Sequence, residues 1–225
     1  MLARCSLLPL LFGVVFAAEQ QPLTTSHSVG LNEELLNKLH DANIIPNIID
    51  AFVPKVNISA YWKNGTALYG NVLDPENLSK RPTIDFLAWP EDLSITKRHK
   101  MPQLTLALTD PDAPSNDDPK WSQVCHWLAT HPPSNGEDVR SMKKSYKEII
   151  EYKPPGPPPK TGMHRYILVA LAPLNGTTDK LHLSKPKDRQ HWGYDGNRTG
   201  VREWAEENGL GVIGANFFYA QNSKQ

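Results

Sequence analysis

Cysteine is nearly missing from this 225-residue chain, which has only Cys5 and Cys125. The first lies in "MLARCSLLPLLFGVVFAAEQ", with one basic residue, an apolar stretch and small residues after it. That is the pattern of a secretory signal peptide, here residues 1–17. Its removal leaves Cys125 alone, which excludes an internal disulfide and leaves stability to packing. Cys125 stands in the apolar run "VCHWLA", where a buried small side chain is a better reading than a reactive thiol.

Long apolar runs are missing too. Residues 7–16 are too few to span a bilayer as a helix, and no later stretch is apolar enough to try, so no transmembrane segment is expected. An uncleaved anchor is the alternative reading of the leader. Cleavage leaves about 200 residues, enough for one well-buried domain. Such a protein is expected to be secreted, or vacuolar through the secretory pathway. Five sequons agree with export, at Asn57, Asn64, Asn77, Asn175 and Asn197. A binding face must avoid whichever of them carry sugar.

No charge of one sign dominates, since 24 basic residues face 24 acidic ones and the leader removes only Arg4. A nucleic-acid partner is therefore not expected. No Lys and Arg cluster resembles a polybasic membrane patch. The Walker, zincin and nucleophile-elbow strings are absent as well. "GLGVIG", residues 209–214, matches a dinucleotide fingerprint as text only. It follows a predicted helix and opens a strand, the reverse of what phosphate cradling needs.

What is present begins with "LNEELLNKLHDANIIPNIIDAF", whose apolar residues recur at helical spacing and are interrupted at Pro46. The pattern predicts two short helices within an N-terminal extension, residues 18–55. Ile44, Ile45, Ile48, Ile49 and Phe52 should dock on the main body. Then the period changes. "KVNISAYW", "ALYGNVL", "TIDFLAW", "QLTLALT", "SQVCHWLAT", "YKEIIEY" and "RYILVALA" are short, rich in β-branched and aromatic residues, and separated by Pro, Gly, Asn and Asp. They predict an antiparallel β protein with a hairpin at Asn64-Gly65. A helix at "VREWAEEN", closed by Gly209, leads into a last strand.

The one biased segment, "YKPPGPPPKTG", could bind an SH3-type groove. In an exported protein a stiff loop is the better reading. Polar residues sit at the ends of apolar strands around it. Asp110 and Asp112 end one, His126 lies in the next, and His164 and Tyr166 begin another. Each has a plain structural explanation by itself: Asp112 as a turn former, His126 as a satisfied core histidine, Tyr166 as a packed aromatic with its hydroxyl at the rim. Strands can nevertheless bring such distant residues together.

"TDPDAPS" (109–115), "CHW" (125–127) and "GPPPKTGMHRY" (156–166), in that order, resemble the motifs of the phosphatidylethanolamine-binding protein family. That family includes carboxypeptidase Y inhibitors, Raf kinase inhibitor proteins and flowering regulators. A looser match runs from residue 56 to "ANFFYAQ", marking residues 56–221 as the family domain. Where the family often has an aromatic residue and a further histidine before the pocket histidine, this chain has Val124 and Cys125. The resemblance implies a mostly β fold, a sandwich with a large central antiparallel sheet and a smaller one, plus short N-terminal and C-terminal helices. It implies an anion pocket of Asp110, Asp112, His126, Pro158, His164 and Tyr166, walled by Gly156 and Pro157.

In such a pocket the imidazoles, the Tyr166 hydroxyl and backbone N–H groups would donate to phosphate oxygens, Asp110 would orient a histidine, and Asp112 would receive an amine. The expected protein is non-catalytic, needs no cofactor or metal, and binds a phospholipid headgroup such as phosphatidylethanolamine, or a small anion. A serine carboxypeptidase is an alternative partner, since one branch of the family inhibits such a protease; the extension, residues 18–55, is the candidate segment. A hydrolytic or zinc site at Asp110, His126 and His164 is a third reading, against which stands the lack of close ligand spacing.

Overall fold

Every residue of Leu104–Asp110 and of Val124–His131 is buried, so these two strands have no solvent face. Continuous apolar runs, not alternation, are what such strands require. The computed structural model describes residues 24–88, 100–132, 134–135 and 146–225. Residues 1–17, read above as a signal peptide, lie outside the described residues.

In chain order the elements are α1 (Thr24–Asp41), β1 (Val56–Trp62), β2 (Gly65–Thr66), β3 (Asn71–Val72), β4 (Thr83–Ala88), β5 (Lys100–Met101), β6 (Leu104–Asp110), β7 (Val124–His131), β8 (Ser134–Asn135), β9 (Lys147–Ile150), β10 (His164–Pro173), α2 (Val201–Glu207) and β11 (Leu210–Ala220). Among the described residues two short 3-10 segments, Pro75–Leu78 and His191–Gly193, join these elements, with turns and loops between. The larger sheet has the order β3-β11-β10-β6-β7-β9, the smaller β2-β1-β4, and β5 pairs with β8 as a separate ribbon.

Alternation along β10 explains how the larger sheet is covered on both sides. Tyr166, Leu168 and Ala170 share a core with Ile58, Trp62 and Phe86 of the smaller sheet. Ile167, Val169 and Leu171 share a second core with Leu35, Leu39 and Trp204 of the helices. The mostly β sandwich with a large and a smaller sheet is therefore the fold of this chain.

Three local expectations differ. The two short helices predicted around Pro46 are one 18-residue helix, α1, followed by turns. Proline offers no N–H to a helix, and instead the Ile48 and Ile49 N–H groups both donate to the Ile44 carbonyl. The isoleucine face still docks as expected, with Ile44, Ile45, Ile48 and Ile49 all buried in the second core. The hairpin loop is Lys63-Asn64, because Trp62 pairs with Gly65. Finally, "ALYGNVL" is not one strand: it leaves the smaller sheet and joins the larger through β3, parallel to β11. Gly70 makes that crossing at φ 102°, where a Cβ would stand 2.9 Å from the Phe217 ring.

Candidate functional site

Antiparallel pairing brings the C-terminal end of β6, the start of β7 and the start of β10 to one edge of the sandwich. The register between β6 and β7 shifts there: Leu108 faces Trp127 but Thr109 faces Cys125, so His126 is the extra residue of a β-bulge. The bulge has a visible consequence. Cys125 and Trp127, two residues apart, enter opposite cores, and His126 is turned toward the strand ends. Cys125 is wholly buried, and burial pushes its thiol up to about 12.

A cavity of about 380 Å³ opens at this edge. Asp110, His126, Gly156, Pro157, Pro158, His164 and Tyr166 all line it, so seven of the eight residues singled out in the sequence converge. Both imidazoles approach one oxygen. Asp110 Oδ2 is 2.9 Å from His164 Nδ1 and 3.9 Å from His126 Nε2. The other carboxylate oxygen, Oδ1, accepts from the Asp112 N–H at 2.8 Å. Tyr166, buried between the histidines and Phe218, hydrogen-bonds with Asp110 and with the Gly156 backbone. Burial and the Asp110 charge hold its hydroxyl far above the ordinary tyrosine range. Its hydroxyl is thus inside the cluster and not at the rim.

Asp112 is the residue that does not converge. Its carboxylate accepts from Arg165 N (2.7 Å), Nε (3.0 Å) and Nη2 (2.6 Å). Together they line a different cavity, of about 350 Å³, beside Ala42, Asn43 and Arg198. A carboxylate 99% buried and held by a guanidinium fork cannot also receive a ligand amine. The physical reason is alternation along β10: Asp110, the last residue of β6, and Asp112, two residues further on, pair with neighbouring residues, His164 and Arg165, that point to opposite faces of β10.

The loop bearing the prolines is pinned at its ends. Lys153 N donates to the His126 carbonyl at 2.7 Å, and Asn222 Nδ2 donates to the Pro157 carbonyl at 3.1 Å. Between these anchors it runs without regular secondary structure, as expected of a stiff loop.

Sequence reasoning missed the cations of the cavity, Lys153 and Arg189. Arg189 donates to the carbonyls of Cys125 (3.0 Å), His126 (3.3 Å) and Glu151 (2.9 Å), tying β7 to the proline loop. Lys153 lay within the biased segment and could have been flagged. Arg189 has no local signal, because its stretch joins the sheet through a single bridge, Val124 to Gln190. Trp121, 38% exposed, completes one wall.

The proton inventory also differs from expectation. His126 Nδ1 is 2.8 Å from the Lys153 carbonyl, His164 Nδ1 faces Asp110, and His164 Nε2 is 3.1 Å from the Thr161 hydroxyl. Three of the four ring nitrogens are therefore occupied by the protein itself. Burial lowers the proton affinity of His126, with Asp110 pulling the other way. Lys153 and Arg189 are the cationic residues among those that line the cavity.

The family model described as phosphatidylethanolamine-binding protein matches residues 50–218. The chain is 34% identical to the carboxypeptidase Y inhibitor of Saccharomyces cerevisiae over 201 residues, 81% of this chain and 88% of that protein. Among solved structures, it is similar to a carboxypeptidase Y inhibitor complexed with the cognate proteinase, with a TM-score of 0.72 and 28% identity over 88% of this chain and 100% of that one. A phosphatidylethanolamine-binding protein from Plasmodium vivax matches in fold, with a TM-score of 0.59 and 18% identity over 84% of this chain and 97% of that one.

Proposed function

The chain belongs to the phosphatidylethanolamine-binding protein family, and on that premise we propose that it is a non-catalytic binding protein whose strand-end cavity takes a small oxyanion, such as a phosphate-bearing lipid headgroup. The observation that carries this reading is the convergence of Lys153, Arg189 and His126 on one cavity of about 380 Å³, within the usual range for small-ligand sites. Asp110 would repel an anion by itself. Its oxygens are already engaged by His164, Tyr166 and the Asp112 N–H, which spread its charge.

Binding without chemistry is supported by the lining. Among the described residues no serine, threonine or cysteine lines the cavity, and the Tyr166 hydroxyl is held too far up to ionise as a nucleophile. Titration of inorganic phosphate and phosphoethanolamine by calorimetry is the test. Binding of micromolar to millimolar strength, about 4 to 8 kcal/mol, is expected. His126→Ala and His164→Ala should abolish it with circular dichroism unchanged; heats identical to wild type would refute the assignment.

A second reading, inhibition of a serine carboxypeptidase, is favoured by a specific observation: the similarity to the yeast carboxypeptidase Y inhibitor extends over 81% of this chain. Deleting residues 18–55 would be a poor test, since Leu35, Leu39 and Ile44 are part of the second core. A deletion of residues 18–23 retains every core residue named above. Residual carboxypeptidase activity measured with the two forms decides whether that segment inhibits; full activity with both removes this reading.

We further infer export and glycosylation, supported by the leader and the five sequons. Asn64, Asn175 and Asn197 are exposed and suit a sugar. Asn57 is half-buried with its Oδ1 accepting from Tyr69 at 2.7 Å, and Asn77 is half-buried with its Oδ1 accepting from Asn64 at 3.1 Å. Mapping of glycopeptides from secreted protein tests the order.

A further inference from the structure

One ring nitrogen in the cavity has no hydrogen-bond partner among the described residues, and the tautomer of its ring follows from geometry. A backbone carbonyl only accepts, so at 2.8 Å from the Lys153 carbonyl His126 Nδ1 must carry a hydrogen. A neutral imidazole has one hydrogen, which leaves His126 Nε2 as a bare lone pair. Asp110 Oδ2, 3.9 Å away, is itself an acceptor and lies beyond hydrogen-bond range. Nε2 therefore presents a hydrogen-bond acceptor to whatever enters.

That acceptor is the reverse of what an unprotonated oxyanion wants. We propose that the cavity selects ligands that bring their own proton to His126 Nε2: a phosphomonoester or inorganic phosphate bearing an O–H is taken, and a phosphodiester, which has none, is disfavoured. This rests on the oxyanion reading of the cavity and deepens it by naming the ligand class. A diester headgroup satisfies the rule only where another donor, such as an ammonium, reaches Nε2.

The alternative, protonating His126 itself, is opposed by its setting. The ring is 96% buried, which outweighs the rest, and the Lys153 and Arg189 charges add repulsion; Asp110 and the hydrogen bond to the Lys153 carbonyl favour the charged form. His164 and Tyr166 stand on β10 beside Asp110, and Asp188 stands at the cavity wall. With Lys153 and Arg189 lining the cavity beside that lone pair, the fitting species is an anion that also carries an O–H for His126.

The proton count gives a readout that charge attraction does not mimic. Lys153 and Arg189 by themselves would favour the fully ionised ligand and so suppress proton uptake. A second phosphate pKa of about 6 makes methyl phosphate a dianion with no O–H at about pH 8, so its binding there should take up about one proton per site. Inorganic phosphate keeps an O–H at that pH and should take up none. Calorimetry in two buffers of different ionisation enthalpy measures both numbers. Dimethyl phosphate should bind at least about tenfold more weakly than methyl phosphate. His126→Gln, whose side-chain amide can donate where Nε2 cannot, should abolish the uptake by methyl phosphate and narrow the gap to dimethyl phosphate.

Methyl phosphate binding without proton uptake, or dimethyl phosphate binding equally well, overturns the proton rule while leaving the oxyanion site standing. If inorganic phosphate itself does not bind, both fall together.

Discussion

Asp110 Oδ2 lies 2.9 Å from His164 Nδ1, and both side chains are at least 97% buried although 54 residues separate them. The bond closes the strand ends of β6 and β10 over the cavity and fixes the plane of the His164 ring. Replacing the carboxylate by an amide keeps the shape and removes the charge-assisted acceptor that also serves Tyr166. Asp110→Asn should therefore lower stability by about 2 kcal/mol, read from urea unfolding with an unchanged m value. Wild-type stability would show that the network contributes nothing net.

Arg165 joins three parts of the chain. Its guanidinium pairs with the buried Asp112, and its Nη1 donates to the carbonyls of Ala42 (2.7 Å) and Asn43 (3.3 Å) beyond the end of α1. Arg165→Ala leaves Asp112 buried and uncompensated, for an expected loss of about 3 kcal/mol or more. Removing Asp112 as well should cost less than the sum of the two single changes. Lysine cannot reproduce the fork, so Arg165→Lys should recover little. Additive losses in chemical denaturation would contradict the pairing.

Acid sensitivity has a definite sign at His126. Burial holds its folded-state pKa below the ordinary value of 6.5, so below that pH the unfolded chain binds more protons than the folded one. Stability should fall as pH drops from about 6.5 toward the lowered pKa, and rise as pH increases through the same window. His126→Gln should flatten this part of a Tm-against-pH profile. A slope equal to that of wild type would assign the acid sensitivity elsewhere.

Cys125 should be inert in the folded protein. Burial pushes its thiol up to about 12, and no part of it reaches solvent. Peptide mapping after brief treatment with a maleimide at neutral pH should find Cys125 unmodified, and fully modified once urea is added. Labelling of the native protein at the unfolded rate would mean that the β7 bulge opens.

The proline loop and the strand-end polar residues were legible because each departs from its local pattern: polar groups at the ends of apolar runs, and prolines where no ladder can form. The strands were legible for the complementary reason, β-branched and aromatic runs between turn residues. The turns around Pro46 and the crossing of β3 were not, since both depend on which partner offers hydrogen bonds. Asp112 illustrates the same limit at the site. As text it is as good a candidate as Asp110, and only the placement of Arg165 removes it. Arg189 is the converse case, an unmarked residue in a loop that tertiary packing brings beside His126.

The order and chemistry of the motifs by themselves marked the family resemblance, and through it the two-sheet architecture and seven of the residues that line the cavity, because motifs and loop composition are properties of short stretches. Which face each polar side chain takes, which nitrogens are already spoken for, and where the positive charge of the cavity comes from were decided only in three dimensions. Those depend on a one-residue bulge at His126 and on carbonyls contributed by loops far away in the chain, and no local pattern encodes such long-range partners.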